Sequence, residues 1–208
     1  MIHFPPVETA DEDGLLAMGG DLEVETLLTA YRSGIFPWPI EENFPLLWFA
    51  PPHRALLFFE EYSVPRRVRR ALKNSHFEMR VNHNFPAVIQ ACSSVPRADG
   101  GTWITRRMVE AYICLHRAGF AISVETYEDE VLAGGLYGVL IGQYFCGESM
   151  FHHRDNASKA AFVRLVEYLK ERGVTWLDAQ MMTPLLQSFG AREVPREEFM
   201  KLLGETVG

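Results

Sequence analysis

The residues of this chain that could do chemistry gather between Gly134 and Gln180. Glu148 stands in the run GGLYGVLIGQYFCGESMF, and Asp178 and Gln180 lie two apart in VTWLDAQ. Both runs read as strands, where side chains two apart project from one face. A carboxylate and an amide that share a face with Trp176, in an otherwise apolar segment, are costly to bury without partners. That pattern suits an active site better than a core. A second concentration, Arg66, Arg67, Arg69, Arg70 and Lys73, contains no acid and suits phosphate contacts, which position a nucleic acid without reading its bases. Metal chemistry is not expected. His152 and His153 are adjacent, so on a strand they point to opposite faces. Cys92, Cys114 and Cys146 are widely spaced, form no C-x-x-C pair and read as reduced thiols.

The elements that must position these groups follow from patterning. The chain has 208 residues, 48% of them hydrophobic and 23% charged, enough for one sizeable core and a small appendage. Residues 1–62 are rich in proline, aromatics and turn signals and read as a small N-terminal domain of irregular chain with one helix at 24–33. Residues 63–208 form the regular part. A basic helix at 65–74 and helices at 85–92 and 106–118 precede three strands at 120–127, 131–140 and 143–151. Their short connections predict an antiparallel meander. A helix at 157–172 follows, with apolar spacing at Ala161, Leu165, Val166 and Leu169. A strand at 174–180 comes next, then a helix capped by Thr183 with Pro184 at its first position. The stretch 191–203 should return to the sheet and end in a short helix.

Net charge is −7, which argues against a protein that coats nucleic acid by bulk electrostatics and makes the one basic island more telling. No apolar run approaches the ~20 residues that span a bilayer. The opening MIHFPPVETADEDG lacks the basic start and apolar core of a signal peptide. A soluble, cytoplasmic protein is expected, without membrane association and as a monomer.

Three meander strands, a helix and another strand resemble the core of the GNAT acyltransferase fold, so the expected class is α+β with a GNAT-like core. That fold usually grips acyl-CoA with a glycine-rich loop at the start of the helix, but FHHRDNASK stands there without a glycine. No cofactor is therefore expected. The chain as a whole resembles the bacterial leucyl/phenylalanyl-tRNA–protein transferases. The resemblance rests on GLLAMGGDL, YRSGIFPWP, APPHRALL, GTWIT, MVEAY, the GGLYGV/GESMF/NASK block, LDAQ and SFGAREVPREEF, in the family order. It departs at Trp48-Phe49-Ala50-Pro51, where the family often has Trp-Trp-Ser-Pro, and at Leu185, where the family commonly has His.

The resemblance implies transfer of Leu or Phe, and also Met, from Leu-tRNA, Phe-tRNA or Met-tRNA to proteins that begin with Lys or Arg. The acceptor is their N-terminal amine, and the product is marked for degradation. It implies that Asp178 attracts the incoming ammonium and takes or relays its proton, worth ~10²–10⁴ in rate. Gln180 would align the nucleophile or hydrogen-bond the developing charge. A second possibility keeps Asp178 as an electrostatic anchor and lets the terminal ribose hydroxyl relay the proton. Glu148 would hold the free amine of the aminoacyl group. Leu136, Phe145, Met150, Phe162, Leu165 and Leu177 would form its side-chain pocket. Trp38 and Trp103, assisted by Tyr112, would stack the terminal adenosine, and the basic helix would contact tRNA phosphates. Two other functions stand beside this one. An acyl-CoA-dependent N-acetyltransferase is weakened by the missing loop, and a non-catalytic tRNA-binding adaptor would need no Asp178.

Overall fold

The computed structural model describes residues 3–94 and 104–207, and Trp103 lies outside them. The N-terminal part contributes β1 (Leu15–Met18), α1 (Val24–Arg32), β2 (Phe36–Pro37) and β3 (Leu47–Phe49), then β4 (His53–Phe58). There follow α2 (Arg66–Lys73), β5 (Glu78–Val81), α3 (Phe85–Ser94) and α4 (Arg106–Arg117). The meander is β6 (Ala121–Glu128), β7 (Val131–Ile141) and β8 (Tyr144–His152). The chain ends with α5 (Ala157–Lys170), β9 (Trp176–Asp178), α6 (Pro184–Ser188), β10 (Arg192–Pro195) and α7 (Arg196–Thr206).

The meander, the helix after it and the strand beyond are those expected of a GNAT-like α+β core. They belong to a seven-stranded sheet of order β10-β4-β9-β8-β7-β6-β5. Its pairings are antiparallel except for β8 with β9, which α5 joins as a parallel crossover. A second sheet, β1-β3-β2, holds the N-terminal segment together where irregular chain was expected. Phe4 packs edge-on against Trp48 on its middle strand.

Strand β4 is another departure. HRALLF was expected as irregular chain, yet it inserts between β10 and β9 in the large sheet. Its residues Ala55, Leu56 and Leu57 are wholly buried, the continuous apolar run of a strand covered on both faces. Strand β5 was also unexpected; it sits at the opposite edge and is half exposed, so it carries no alternation to read.

Helices cover both faces of the large sheet, and two apolar clusters record the alternation. Leu56, Ala121, Tyr137, Cys146 and Trp176 pack on one side with α1, α3, α4 and α7. Their chain neighbours Leu57, Ile122, Leu136, Phe145 and Leu177 pack on the other with α2, α5 and α6. Gly134 lets α5 approach β7 closely, since a Cβ there would lie 2.7 Å from that of Ala157.

The caps agree with the sequence in part. Thr183 accepts from the Leu186 amide as expected. Thr105 does the same for Met108 at the start of α4. At the start of α1, Asp21 accepts from the Glu23 amide and from the Thr26 hydroxyl in the first turn.

Candidate active site

A β-bulge sets the site. In the β7–β8 pairing Tyr137 faces Ser149 and Gly138 faces Gly147, which leaves Glu148 as the extra residue. A bulge re-aims a side chain and reverses the faces beyond it. Phe145 and Met150, five apart, therefore line the same cavity, which an unbroken alternation would forbid. Gly138 is required because a Cβ there would meet the Cys146 carbonyl and the Phe145 ring, each at 2.4 Å.

The cavity measures about 380 Å³ and opens to solvent. Leu136, Phe145, Met150, Phe162, Leu165 and Leu177, all six expected pocket residues, line it. So do Trp38, Glu148 and Gln180. Sequence reasoning missed Met181, Thr183, Leu185 and Leu186, which form another part of the wall. They belong to the turn after β9 and to the short α6, whose position no periodicity reveals.

Glu148 is the ionisable centre of this cavity. Its Oε1 accepts from the Tyr31 hydroxyl at 2.7 Å and from the Gln180 amide at 2.9 Å; its Oε2 accepts from the Tyr112 hydroxyl at 3.2 Å. The two tyrosine hydroxyls also touch each other. No cation pairs with Glu148 among the described residues. Burial pushes its carboxyl up to about 7, although the two hydroxyl donors oppose the shift. Both tyrosines are held well above their ordinary range by burial and by the carboxylate beside them, so they stay protonated donors.

Asp178 lies just outside the cavity, with Cys146 Sγ between it and Gln180, 3.5 Å from Asp178 Oδ2 and 3.3 Å from Gln180 Nε2. Leu177 faces the cavity, so its neighbour Asp178 points through the sheet to the opposite face, beside Trp176. It is fully buried and does not line the cavity. Arg54 grips it with Nε at 3.1 and 3.0 Å and Nη2 at 2.8 Å, and the Tyr144 hydroxyl donates at 2.7 Å. The Gln180 backbone N–H donates to Oδ1 at 2.7 Å. Burial would loosen the Arg54 proton, but Asp178 and Tyr144 hold it more firmly than usual. The guanidinium sits between the rings of Phe36 and Phe199, 4.7 and 4.5 Å from their centroids.

Gln180 does not share a strand face with Asp178, as β9 ends at Asp178. It takes φ +61 within a tight turn in which the Met181 amide bonds the Ala179 carbonyl at 2.7 Å. A non-glycine residue in that region costs ~1–3 kcal/mol, the kind of strain that clusters at functional sites. The turn brings the side chain to the cavity wall.

Other expected residues are spread more widely. Tyr112 is fully buried behind Glu148, so its hydroxyl serves that carboxylate. Trp38 lines the cavity, and Trp103 lies outside the described residues. Arg66, Arg67, Arg69, Arg70 and Lys73 are exposed on α2, which anchors itself through buried Val68. None of them forms an ion pair among the described residues, and Arg69 donates to the Val64 carbonyl. Among those residues no group of three or more His, Cys, Asp or Glu could hold a metal ion. Arg54 and Tyr31 were not expected at the site. The signal for Arg54 was a lone cation inside the apolar run RALLF.

Comparisons with known proteins give the kinship. The family model of the leucyl/phenylalanyl-tRNA protein transferases matches residues 56–204, and the model of their N-terminal domain matches 20–52. A leucyl/phenylalanyl-tRNA–protein transferase of Flavobacterium johnsoniae is 50% identical over 97% of this chain and 95% of its own. One from Dechloromonas aromatica is 51% identical over 96% of this chain and 86% of its own. Among solved structures, FemX superposes with a TM-score of 0.53 at 9% identity, over 86% of this chain and 70% of its own, a likeness of fold. With half of its residues shared across nearly its full length, this chain belongs to the leucyl/phenylalanyl-tRNA protein transferases, a family of aminoacyltransferases.

Proposed function

We propose that the cavity receives the aminoacyl end of Leu-tRNA, Phe-tRNA or Met-tRNA. The acyl group then passes to the N-terminal amine of proteins that begin with Lys or Arg, which marks them for degradation. One observation carries this reading: a buried carboxyl, paired with no cation among the described residues, in a largely apolar cavity. The fitting occupant has a large apolar side chain beside a free ammonium, as an esterified Leu, Phe or Met has. The aliphatic and aromatic lining takes the side chain and Glu148 the ammonium. A pocket of this kind discriminates poorly by single methylenes, ~1–3 kcal/mol each.

The chemistry then follows. The amine of the acceptor attacks the ester carbonyl carbon; a C–N bond forms, the C–O bond to the terminal ribose breaks, and the amine loses a proton. Gln180 spends its Nε2 on Glu148, which turns its Oε1 toward the incoming amine. Asp178, locked behind the sheet by Arg54, acts as an anchor through the Gln180 backbone. The departing ribose oxygen takes the proton. Of the two roles open to Asp178, its burial favours this one. Trp38, which lines the cavity, stacks the terminal adenosine, worth ~1–3 kcal/mol for any tRNA, and α2 contacts phosphates. Acid elsewhere on the chain draws the cationic acceptor.

The test is to incubate the protein with labelled Leu-tRNA and peptides differing only in their first residue. Label on the Lys and Arg peptides alone is expected. Label on every peptide would remove the acceptor assignment. Binding of tRNA with no labelled peptide would leave the adaptor reading in its place.

A further inference from the structure

Arg54 makes two sets of contacts that end on the two groups of the cavity that face a substrate. Its Nε and Nη2 fix Asp178, whose Oδ1 in turn accepts from the backbone of Gln180. That bond holds a turn whose central residue has φ +61, a conformation the backbone does not keep unaided. Its Nη1 donates to the Gly34 carbonyl at 3.1 Å, just past the end of α1. Three residues earlier on that helix, Tyr31 donates to Glu148. Gly34 has φ +72, and a Cβ there would lie 2.8 Å from Met200 Sδ and 2.9 Å from the Phe199 ring, so the position is closed to a side chain.

We infer that Arg54 is a positioning residue for aminoacyl transfer, which sets Gln180 through Asp178 and Glu148 through Gly34 and α1. The inference rests on the reaction proposed above. A purely structural pair is the competing view. A buried ion pair can usually be exchanged for apolar residues without loss of stability. A fork that must aim two separate groups cannot be exchanged without changing their directions. Lysine keeps the charge but offers no planar fork, so it cannot serve Asp178 and Gly34 in the same geometry.

Three variants separate the views: Arg54→Lys, Arg54→Met, and the neutral double variant Arg54→Met/Asp178→Asn. Each is measured for thermal stability, for Leu-tRNA affinity, and for single-turnover transfer of Leu to a Lys-initiated peptide. Arg54→Met leaves a carboxylate buried alone and is expected to lose stability. The double variant should recover that stability. Arg54→Lys and the double variant should bind Leu-tRNA within about threefold of the parent, yet transfer at least roughly tenfold more slowly, a loss in kcat and not in KM. If Arg54→Lys does not fold, the double variant carries the same comparison. Parental transfer rates in either folded variant would overturn the inference. Failure of the parent protein to label the peptide would reject the reaction itself, a result distinct from any difference among the variants.

Discussion

Glu148 carries an unusual burden for a single side chain. It is 9% exposed and paired with no cation among the described residues, so burial raises its carboxyl from 4.5 to about 7 against the opposing pull of its hydroxyl donors. A raised carboxyl contributes stability that is fully present below pH 4.5 and lost as pH climbs through about 7. Thermal melts of the free protein should show this loss, on the order of 2–3 kcal/mol, and Glu148→Gln should abolish the pH dependence in that window. A parallel decline in both proteins would place the titration on another group. Gln180→Ala should slow transfer by roughly 10² while Leu-tRNA binding changes little, as expected when a group serves the reacting amine. Equal losses in rate and affinity would make Gln180 a binding residue. The sequence exposed Glu148 and Gln180 because polar residues in apolar strands are conspicuous. The surroundings of Asp178 and Tyr112 were not legible, since their partners Arg54 and Tyr31 lie 124 and 81 residues away.

Elements of strong period were legible: the meander, α4 and α5 all lie within a few residues of expectation. Those that escaped have physical reasons. Strand β4 is six residues long and buried on both faces, so no alternation marks it. The strands of the small sheet are four residues or fewer. The bulge at Glu148 left no sign except Gly138, which tolerates the close approach of Phe145. Gly138→Ala should therefore destabilise the protein by ~1–3 kcal/mol and push the Phe145 ring into the cavity. Denaturant unfolding and a fall in Leu transfer relative to a smaller aminoacyl donor would register both effects. Unchanged stability would mean that the β7–β8 register differs from the one described. Closer to solvent, Thr105→Ala removes the cap of α4 and should cost about 1 kcal/mol in the same assay.

Across the whole molecule, the large sheet keeps two separate cores, and the site spans it. The apolar part of the cavity opens on the face that carries α5 and α6, while the tyrosine partners of Glu148 and the Asp178–Arg54 pair lie with the core on the other. Among the described residues no helix is long and apolar enough to cross a membrane. Net charge is −7, yet α2 presents a row of exposed arginines, so the tRNA attraction proposed above is local. Replacing Arg66, Arg67 and Arg70 by Ala should weaken all aminoacyl-tRNAs alike and reduce the slope of log K against log salt by about 2–3. A loss confined to one amino acid would contradict a phosphate role. The occupant of the cavity is open to a more direct measurement: equilibrium affinity for Leu-tRNA against the same tRNA deacylated, in the parent and in Glu148→Gln. With the leucyl ammonium held on Glu148, the parent should favour the charged tRNA. The variant should lose that preference and keep its affinity for the uncharged one. An undiminished preference in Glu148→Gln would show that the amino acid is held somewhere other than on this carboxylate.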